Sequence, residues 1–113
     1  ADTPKPHREG SLEAPTRHPI DWRSPQFTDP AALERILKSV DGPAIVIAQA
    51  GHVNSGAVDP VGTLAELAHG RGAFLHVDGA FGLWARASSR HRHLVAGLDQ
   101  ADSWSVDAHK WLN

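Results

Sequence analysis

ADSWSVDAHKWLN, residues 101–113, decides the fold when it is read together with AFLHVDGAFGLW, residues 73–84. Each segment has the pattern of a buried strand that continues into polar residues at its carboxyl end. In an open parallel sheet, ligands bind outside the carboxyl ends of the strands. Two residues at these predicted strand ends, Lys110 and Asp78, therefore need a chemical explanation.

The residues between 29 and 48 predict a helix followed by a strand. Asp29 is a candidate N-cap with Pro30 at the first helical position, and apolar side chains then recur at helical spacing. The turn Asp41-Gly42-Pro43 ends this helix. The run from Ala44 to Ala48 is apolar and rich in β-branched residues, which predicts a strand covered on both faces.

A second helix and two further strands follow. Asp59-Pro60 repeats the N-cap and proline pattern and predicts a helix through about His69. Strands are predicted from Ala73 to Gly79 and from Ala101 to Asp107, with a short helix from Leu94 to Leu98 between them. The first two strands and their helix form a unit whose crossover should be right-handed. The predicted fold class is therefore α/β, with a mainly parallel sheet and flanking helices.

Residues 1–28 differ in composition from the rest of the chain. Five of the eight prolines fall before Phe27, and the apolar residues there follow neither a helical nor a strand period. We expect an irregular or disordered segment that Trp22 pins to the ordered part. The ordered domain is predicted to run from residue 29 to residue 113.

The composition argues against several classes of function. A net charge of -2 with 21% charged residues gives no electrostatic footprint for nucleic acid or an anionic membrane. The chain has no cysteine for a disulfide or a thiolate nucleophile, and its apolar runs are shorter than the roughly 18 residues of a membrane span. We expect a cytoplasmic protein. Because 113 residues starting at Ala1 are few for an enzyme that encloses a large cofactor, we expect a piece of a longer chain.

Side chains on the second predicted strand suggest a site for a flat ring. His76, Asp78 and Ala80 point to the same face because side chains alternate along a strand. Asp78 could hold a protonated ring nitrogen through a charge-assisted hydrogen bond, while the small Ala80 packs on the ring. The alternative is that Asp78 caps the turn that follows the strand.

Lys110 supplies the amine that such a site would need. Desolvation lowers the pKa of a lysine, and an unprotonated lysine is the nucleophile that forms Schiff bases. A lysine after a strand can also be an ordinary surface residue. Together, the two strand ends offer an amine, a carboxylate, an imidazole and small residues, which is the set that pyridoxal phosphate (PLP) requires.

Two other kinds of site agree less well with the sequence. Imidazoles and a carboxylate could bind zinc or iron; the candidates would be His76, Asp78, His91, His93 and His109. A metal site leaves the lysine and the small residues unexplained, so we predict none. Gly51 to Gly56 lacks the G-x-G-x-x-G spacing of a dinucleotide site, and the polar run Ser88 to His93 is predicted to be a solvated loop.

Three motifs carry a resemblance to a known family. HVDGAFGLW at 76–84, ADSWSVDAHKWLN at 101–113 and AGHVNSGAVDP at 50–60 resemble the group II PLP-dependent amino-acid decarboxylases of the fold type I superfamily. The resemblance extends from about Asp29 to Asn113. It implies part of the large PLP-binding domain of a homodimeric carboxy-lyase that acts on an amino acid.

The resemblance also implies roles for individual residues. Lys110 would be the Schiff-base lysine and Asp78 the partner of the pyridinium nitrogen, with Ala80 against the ring. The remaining implied cofactor contacts are His109 and Asp107, near the phosphate, and Asn54 and Ser55, near the phenolic oxygen or the substrate. A position that is often threonine in the family is Val53 here, so His52, Asn54 and Ser55 all remain candidates for that contact.

The superfamily leaves two alternatives open. Its lysine and aspartate are shared by carbon-carbon lyases and aminotransferase-like enzymes, so they do not separate these reactions. The chain could also be a catalytically inactive fragment, because residues 1–27 contain no counterpart of the family's phosphate-binding loop or ring-stacking histidine.

Overall fold

The computed structural model describes residues 28–112, so the predicted irregular segment and the predicted contact of Trp22 lie outside the described residues, apart from Thr28. These residues form two α-helices, three strands and four short 3₁₀ turns. The α-helices and strands are α1 (Pro30–Ser39), β1 (Ile45–Gln49), α2 (Val61–Gly70), β2 (Phe74–Asp78) and β3 (Ser103–Ser105). The 3₁₀ turns are Gly82–Ala87, Arg92–Val95, Leu98–Gln100 and Ala108–Lys110.

The first helix begins as the sequence predicts. The side chain of Asp29 accepts a hydrogen bond from the Ala31 N–H at 3.0 Å, which satisfies one of the free donors at the helix start. Pro30 occupies the first helical position, and Leu33 and Leu37 are buried on one face. Local capping and hydrophobic spacing therefore determine α1.

The second helix is confirmed, but the predicted cap at Asp59 is wrong. Pro60 is the N-cap residue of α2, and no side chain caps the helix. The buried Asp59 carboxylate accepts instead from Thr28, through its N–H at 2.6 Å and its hydroxyl at 3.1 Å, and from the Gln49 N–H at 2.7 Å. Asp59 thus connects the carboxyl end of β1 to Thr28, two residues before the start of α1.

The three strands form one parallel sheet in the order β1-β2-β3. Where β2 pairs with β3, His76 lies opposite Ser103 and Asp78 lies opposite Ser105. The predicted α/β class and parallel sheet are confirmed, although β3 is shorter than predicted. Its early end leaves residues 106–112 to form the turn that carries Lys110.

The two faces of the sheet have different environments. Val46, Ala48, Leu75 and Val77 are buried in one core with the apolar faces of α1 and α2. On the opposite face, within residues 28–112, Ile45 and Ile47 are 69% and 66% exposed, and Phe74 is also exposed. The prediction that β1 is covered on both faces is therefore wrong for the described part of the chain.

The segment between β2 and β3 contains 3₁₀ turns where a short helix was predicted. Gly97 lies between two of these turns with φ of 85°, a conformation that favours glycine and interrupts a helix from Leu94 to Leu98. The run Arg90 to His93 is exposed, as predicted for a solvated loop. Among the described helices, none has the length and apolar character needed to cross a membrane.

Candidate functional site

Asp78 lies at the carboxyl end of β2 and is half-buried. Its Oδ1 accepts a hydrogen bond from the Ala80 N–H at 3.1 Å. The carboxylate therefore caps the turn after the strand, as the alternative interpretation expected. Its other oxygen, Oδ2, makes no hydrogen bond among residues 28–112, so one acceptor remains at the strand end.

The turn after β2 packs closely against the loop after β1. The Ala50 N–H donates to the Asp78 carbonyl oxygen at 2.8 Å, and the Gly82 N–H donates to the Ala50 carbonyl oxygen at 2.9 Å. A Cβ on Gly82 would overlap the Ala50 carbonyl and lie 2.9 Å from the Gly51 nitrogen. The second glycine of HVDGAFG is therefore required by this close contact between main chains.

Lys110 ends a 3₁₀ turn and makes two contacts. Its Nζ lies 2.7 Å from Oδ2 of Asp107 and 4.3 Å from the centroid of the Phe81 ring. The hydrogen bond from Lys110 holds the pKa of Asp107 below its usual value, the nearby His109 acts in the same direction, and desolvation opposes both. The predicted amine is thus adjacent to the aromatic residue of HVDGAFG. His109 itself is exposed.

Two tryptophans join the segments that carry Lys110 and Phe81. The Trp84 indole N–H donates to the Asp107 carbonyl oxygen at 3.1 Å, and the Trp111 indole N–H donates to the Phe81 carbonyl oxygen at 2.6 Å. Neither Phe81 nor the two indole hydrogen bonds were predicted from the sequence. Their position inside the motifs marks these aromatic residues as candidates, but their main-chain acceptors lie 23 and 30 residues away in sequence.

The loop after β1 folds back on itself. Its ends pair as an antiparallel bridge between Ala50 and Val58. The predicted cofactor contacts Asn54 and Ser55 are exposed; Ser55 Oγ accepts from the Ala57 N–H at 3.3 Å. Neither residue lines the cleft beside the loop.

That cleft has a volume of about 250 Å³ and is formed by all three motifs. Its lining residues are Gly51, His52, Val53, Gly56, Phe81, Gly82 and Trp111. Lys110 lies beside it, since its Nζ contacts the Phe81 ring and Trp111 follows it directly. The structure therefore brings the three sequence motifs to one place.

The remaining candidates lie apart from this cleft. His76 contacts Ser103 through Nδ1 and Oγ at 2.8 Å on the open face of the sheet. In residues 28–112, no three histidine, aspartate or glutamate side chains are arranged to hold a metal ion. A second cleft, of about 300 Å³ near Pro60 and His93, contains none of the predicted cofactor contacts.

Comparisons with known proteins agree on one family. The pyridoxal-dependent decarboxylase conserved domain matches residues 24–113. The chain is 40% identical over 85 residues to tyrosine/DOPA decarboxylase 5 of Papaver somniferum. This alignment covers 73% of this chain and 16% of the relative. It is 41% identical over 70 residues to aspartate 1-decarboxylase of Aliivibrio fischeri, which covers 62% and 13%.

A solved structure gives the same result. The Oryza sativa TDC structure with PLP superposes with a TM-score of 0.71 at 37% identity, over 76% of this chain and 19% of that one. The chain thus spans 13–16% of the length of the two curated relatives.

Proposed function

Because the chain belongs to the pyridoxal-dependent decarboxylase family, we propose that it carries part of an active site that removes the carboxylate of an amino acid with PLP as cofactor. The observation that carries this proposal is the convergence of the three motifs on one cleft beside Lys110. If each motif only stabilised its own turn, the three motifs would not be expected to line one cleft.

The residues that follow the strands and the residues that line the cleft together fit this cofactor chemically. Lys110 offers an amine that would bind the aldehyde carbon, and Asp78 offers a carboxylate oxygen for the ring nitrogen. Gly51, Gly56 and Gly82 leave main chain exposed along the cleft wall, which allows a flat ring to approach closely. The amine, the acid and the small residues are thus present on neighbouring strand ends.

Each residue contributes a distinct physical effect. When bound, PLP supplies an electron sink for the electron pair released as CO2 leaves. Asp78 would hold a proton on the ring nitrogen, and Ala80 would leave room for the ring beside that carboxylate. Phe81 and Trp111 would exclude water from one side of the cleft, which strengthens the charged hydrogen bonds within it.

Four further residues are proposed to contact the rest of the cofactor. His109 and Asp107 remain our candidates near the phosphate, and Asn54 and Ser55 near the phenolic oxygen. His52 and Val53 line the cleft whereas Asn54 and Ser55 do not, which favours His52 as a further polar contact.

The substrate is proposed only as an amino acid. One similar relative is named for tyrosine and DOPA and another for aspartate, at 40% and 41% identity. Sequence identity therefore does not indicate whether the substrate has an aromatic or an acidic side chain. We further propose a cytoplasmic homodimer, which sedimentation and cell fractionation would test. Residues 1–113 alone should bind PLP weakly and release no measurable CO2, because the described loops enclose one side of the cleft.

The test uses the full-length protein with PLP, borohydride trapping and peptide mass spectrometry. We expect covalent PLP on Lys110, loss of that label in Lys110→Ala, and its retention in Lys38→Ala, a matched change at an exposed lysine. Label elsewhere or none on Lys110 would reject the assignment.

A second measurement tests the reaction. Asp78→Asn should retain PLP but lose release of CO2 from carboxyl-labelled amino acids, because the ring nitrogen loses its counter-ion. Near-normal turnover by this variant would reject the role of Asp78. Transfer of the amino group without CO2 release by the parent protein would reject decarboxylation.

A further inference from the structure

The amine of Lys110 is held between two partners from different segments. Oδ2 of Asp107, three residues earlier in the same turn, lies 2.7 Å from Nζ, and the Phe81 ring, which follows β2, lies 4.3 Å away. A carboxylate and an aromatic face both attract an ammonium, and they contact it from different directions. We call these three side chains the lysine clasp.

Both partners in the clasp are fixed through their main chains. Trp84 donates its indole N–H to the carbonyl oxygen of Asp107, and Trp111 donates to that of Phe81. Because the acceptors are main-chain atoms, changing the side chain at 107 or 81 leaves these bonds available. The partners are therefore held in place independently of the contacts that they make with Lys110.

The charges around the clasp are few. The hydrogen bond from Lys110 holds the pKa of Asp107 below its usual value, so the carboxylate is ionised at neutral pH. His109 neighbours Lys110 on the same turn, and His52 lines the cleft beside Trp111. The facing turn, residues 79–85, contains no ionisable side chain. Among these groups, Asp107 is thus the acid that contacts the amine.

We propose that Asp107 and Phe81 are positioning residues that hold the Lys110 amine as an ammonium, and that Lys110 reacts with an aldehyde only after the Asp107 carboxylate releases it. On release, the ammonium gives its proton to water, and the free amine adds to the aldehyde carbon with loss of one water molecule. The inference rests on the proposed function only in taking Lys110 as the residue that binds the cofactor.

The test measures the reactivity of Lys110 without PLP. The full-length protein is methylated with formaldehyde and cyanoborohydride at pH 8, and mass spectrometry gives the rate at Lys110 relative to Lys38 in the same sample. Lys38 is a suitable internal reference because it forms an exposed pair with Glu34 at 3.2 Å.

Variants at Asp107 isolate the carboxylate. Asp107→Asn should raise the Lys110 to Lys38 rate ratio about twofold to fourfold, the range for a partly exposed ion pair. Asp107→Glu should return the ratio to that of the parent protein, because the carboxylate is restored. Asp99→Asn removes an exposed acid from another 3₁₀ turn and should leave the ratio unchanged.

A variant at Phe81 tests the other partner and covers a failure of Asp107→Asn to fold. Phe81→Leu keeps apolar bulk but removes the aromatic face, and it should raise the ratio about twofold. An unchanged ratio in both Asp107→Asn and Phe81→Leu would overturn the inference, as would an equal effect in Asp99→Asn.

The outcomes separate this inference from the proposed function. A raised ratio in Asp107→Asn together with no PLP on Lys110 of the parent protein would support the clasp and reject the proposed function. An unchanged ratio with normal PLP attachment would reject the clasp alone.

Discussion

Replacing Gly82 with alanine should separate the two loops that form the cleft. A Cβ at this position would lie 2.7 Å from the Ala50 carbonyl carbon and 2.9 Å from the Gly51 nitrogen. Both neighbours are main-chain atoms, so neither can move aside by rotating a side chain. The added methyl group therefore has to displace the Gly82 N–H from the Ala50 carbonyl, to which it donates at 2.9 Å.

The size of the effect follows from two contributions. Overpacking costs about 1–3 kcal/mol, and loss of one main-chain hydrogen bond costs about 1 kcal/mol. We therefore expect Gly82→Ala to lower the free energy of unfolding by about 2–4 kcal/mol. With a urea slope of about 1–3 kcal/mol per molar, the midpoint should fall by about 0.7–4 M.

Urea titration followed by tryptophan fluorescence measures this change, and Gly70→Ala is its matched control. Gly70 is the last residue of α2, and a Cβ there meets no atom within 4 Å. Alanine is the better helix former by about 0.5–1 kcal/mol, so this variant should unfold at the same or a higher urea concentration. A Gly82→Ala midpoint equal to that of the parent protein would refute the steric argument, and so would an equal fall in Gly70→Ala.

Two further predictions concern acids outside the cleft. Asp59→Ala removes all three hydrogen bonds to a buried carboxylate and should lower the free energy of unfolding by about 3–5 kcal/mol. The same change at the exposed Glu66 should have little effect, and similar urea midpoints for the two variants would contradict the role of Asp59. The pKa of Asp102 is lowered by the hydrogen bond from the Leu75 N–H and by the contact with His69, so the contribution of its charge to stability is present above pH 3.8 and is lost as the pH falls through the lower folded value. Thermal unfolding of Asp102→Asn should therefore show a deficit at pH 7 that shrinks at pH 3, and a deficit independent of pH would contradict this linkage.

The regular elements were predictable where short-range chemistry determines them. Asp29 caps α1 because its side chain and the N–H that it accepts from are two residues apart. The run predicted as a strand from Ala44 to Ala48 became β1, displaced by one residue. Both features depend on residues that are neighbours in sequence, so no knowledge of the tertiary structure was needed.

The errors concern interactions that are distant in sequence. Asp59 precedes a proline at a helix start, which favours a cap, but it bonds to Thr28, 31 residues away. The apolar pattern of β1 indicates which environment its residues favour and cannot say which segments cover them. Long-range partners of this kind become visible only with coordinates.

The candidate site was predictable in part. The rule that ligands lie at the carboxyl ends of parallel strands predicts Asp78 and Lys110 as candidate site residues. Phe81 and Trp111 were missed because their contacts depend on how two loops pack, and the hydrogen-bond acceptor of Trp111 is a main-chain oxygen that no sequence motif identifies.

The uncovered side of the sheet has a practical consequence for work in solution. Ile45, Ile47 and Phe74 are exposed apolar residues on the neighbouring strands β1 and β2. A polypeptide limited to residues 28–112 should therefore self-associate as its concentration rises, and it should increase the fluorescence of a dye such as ANS. Any biophysical study of this region is best run dilute, with dye binding as a check before each titration.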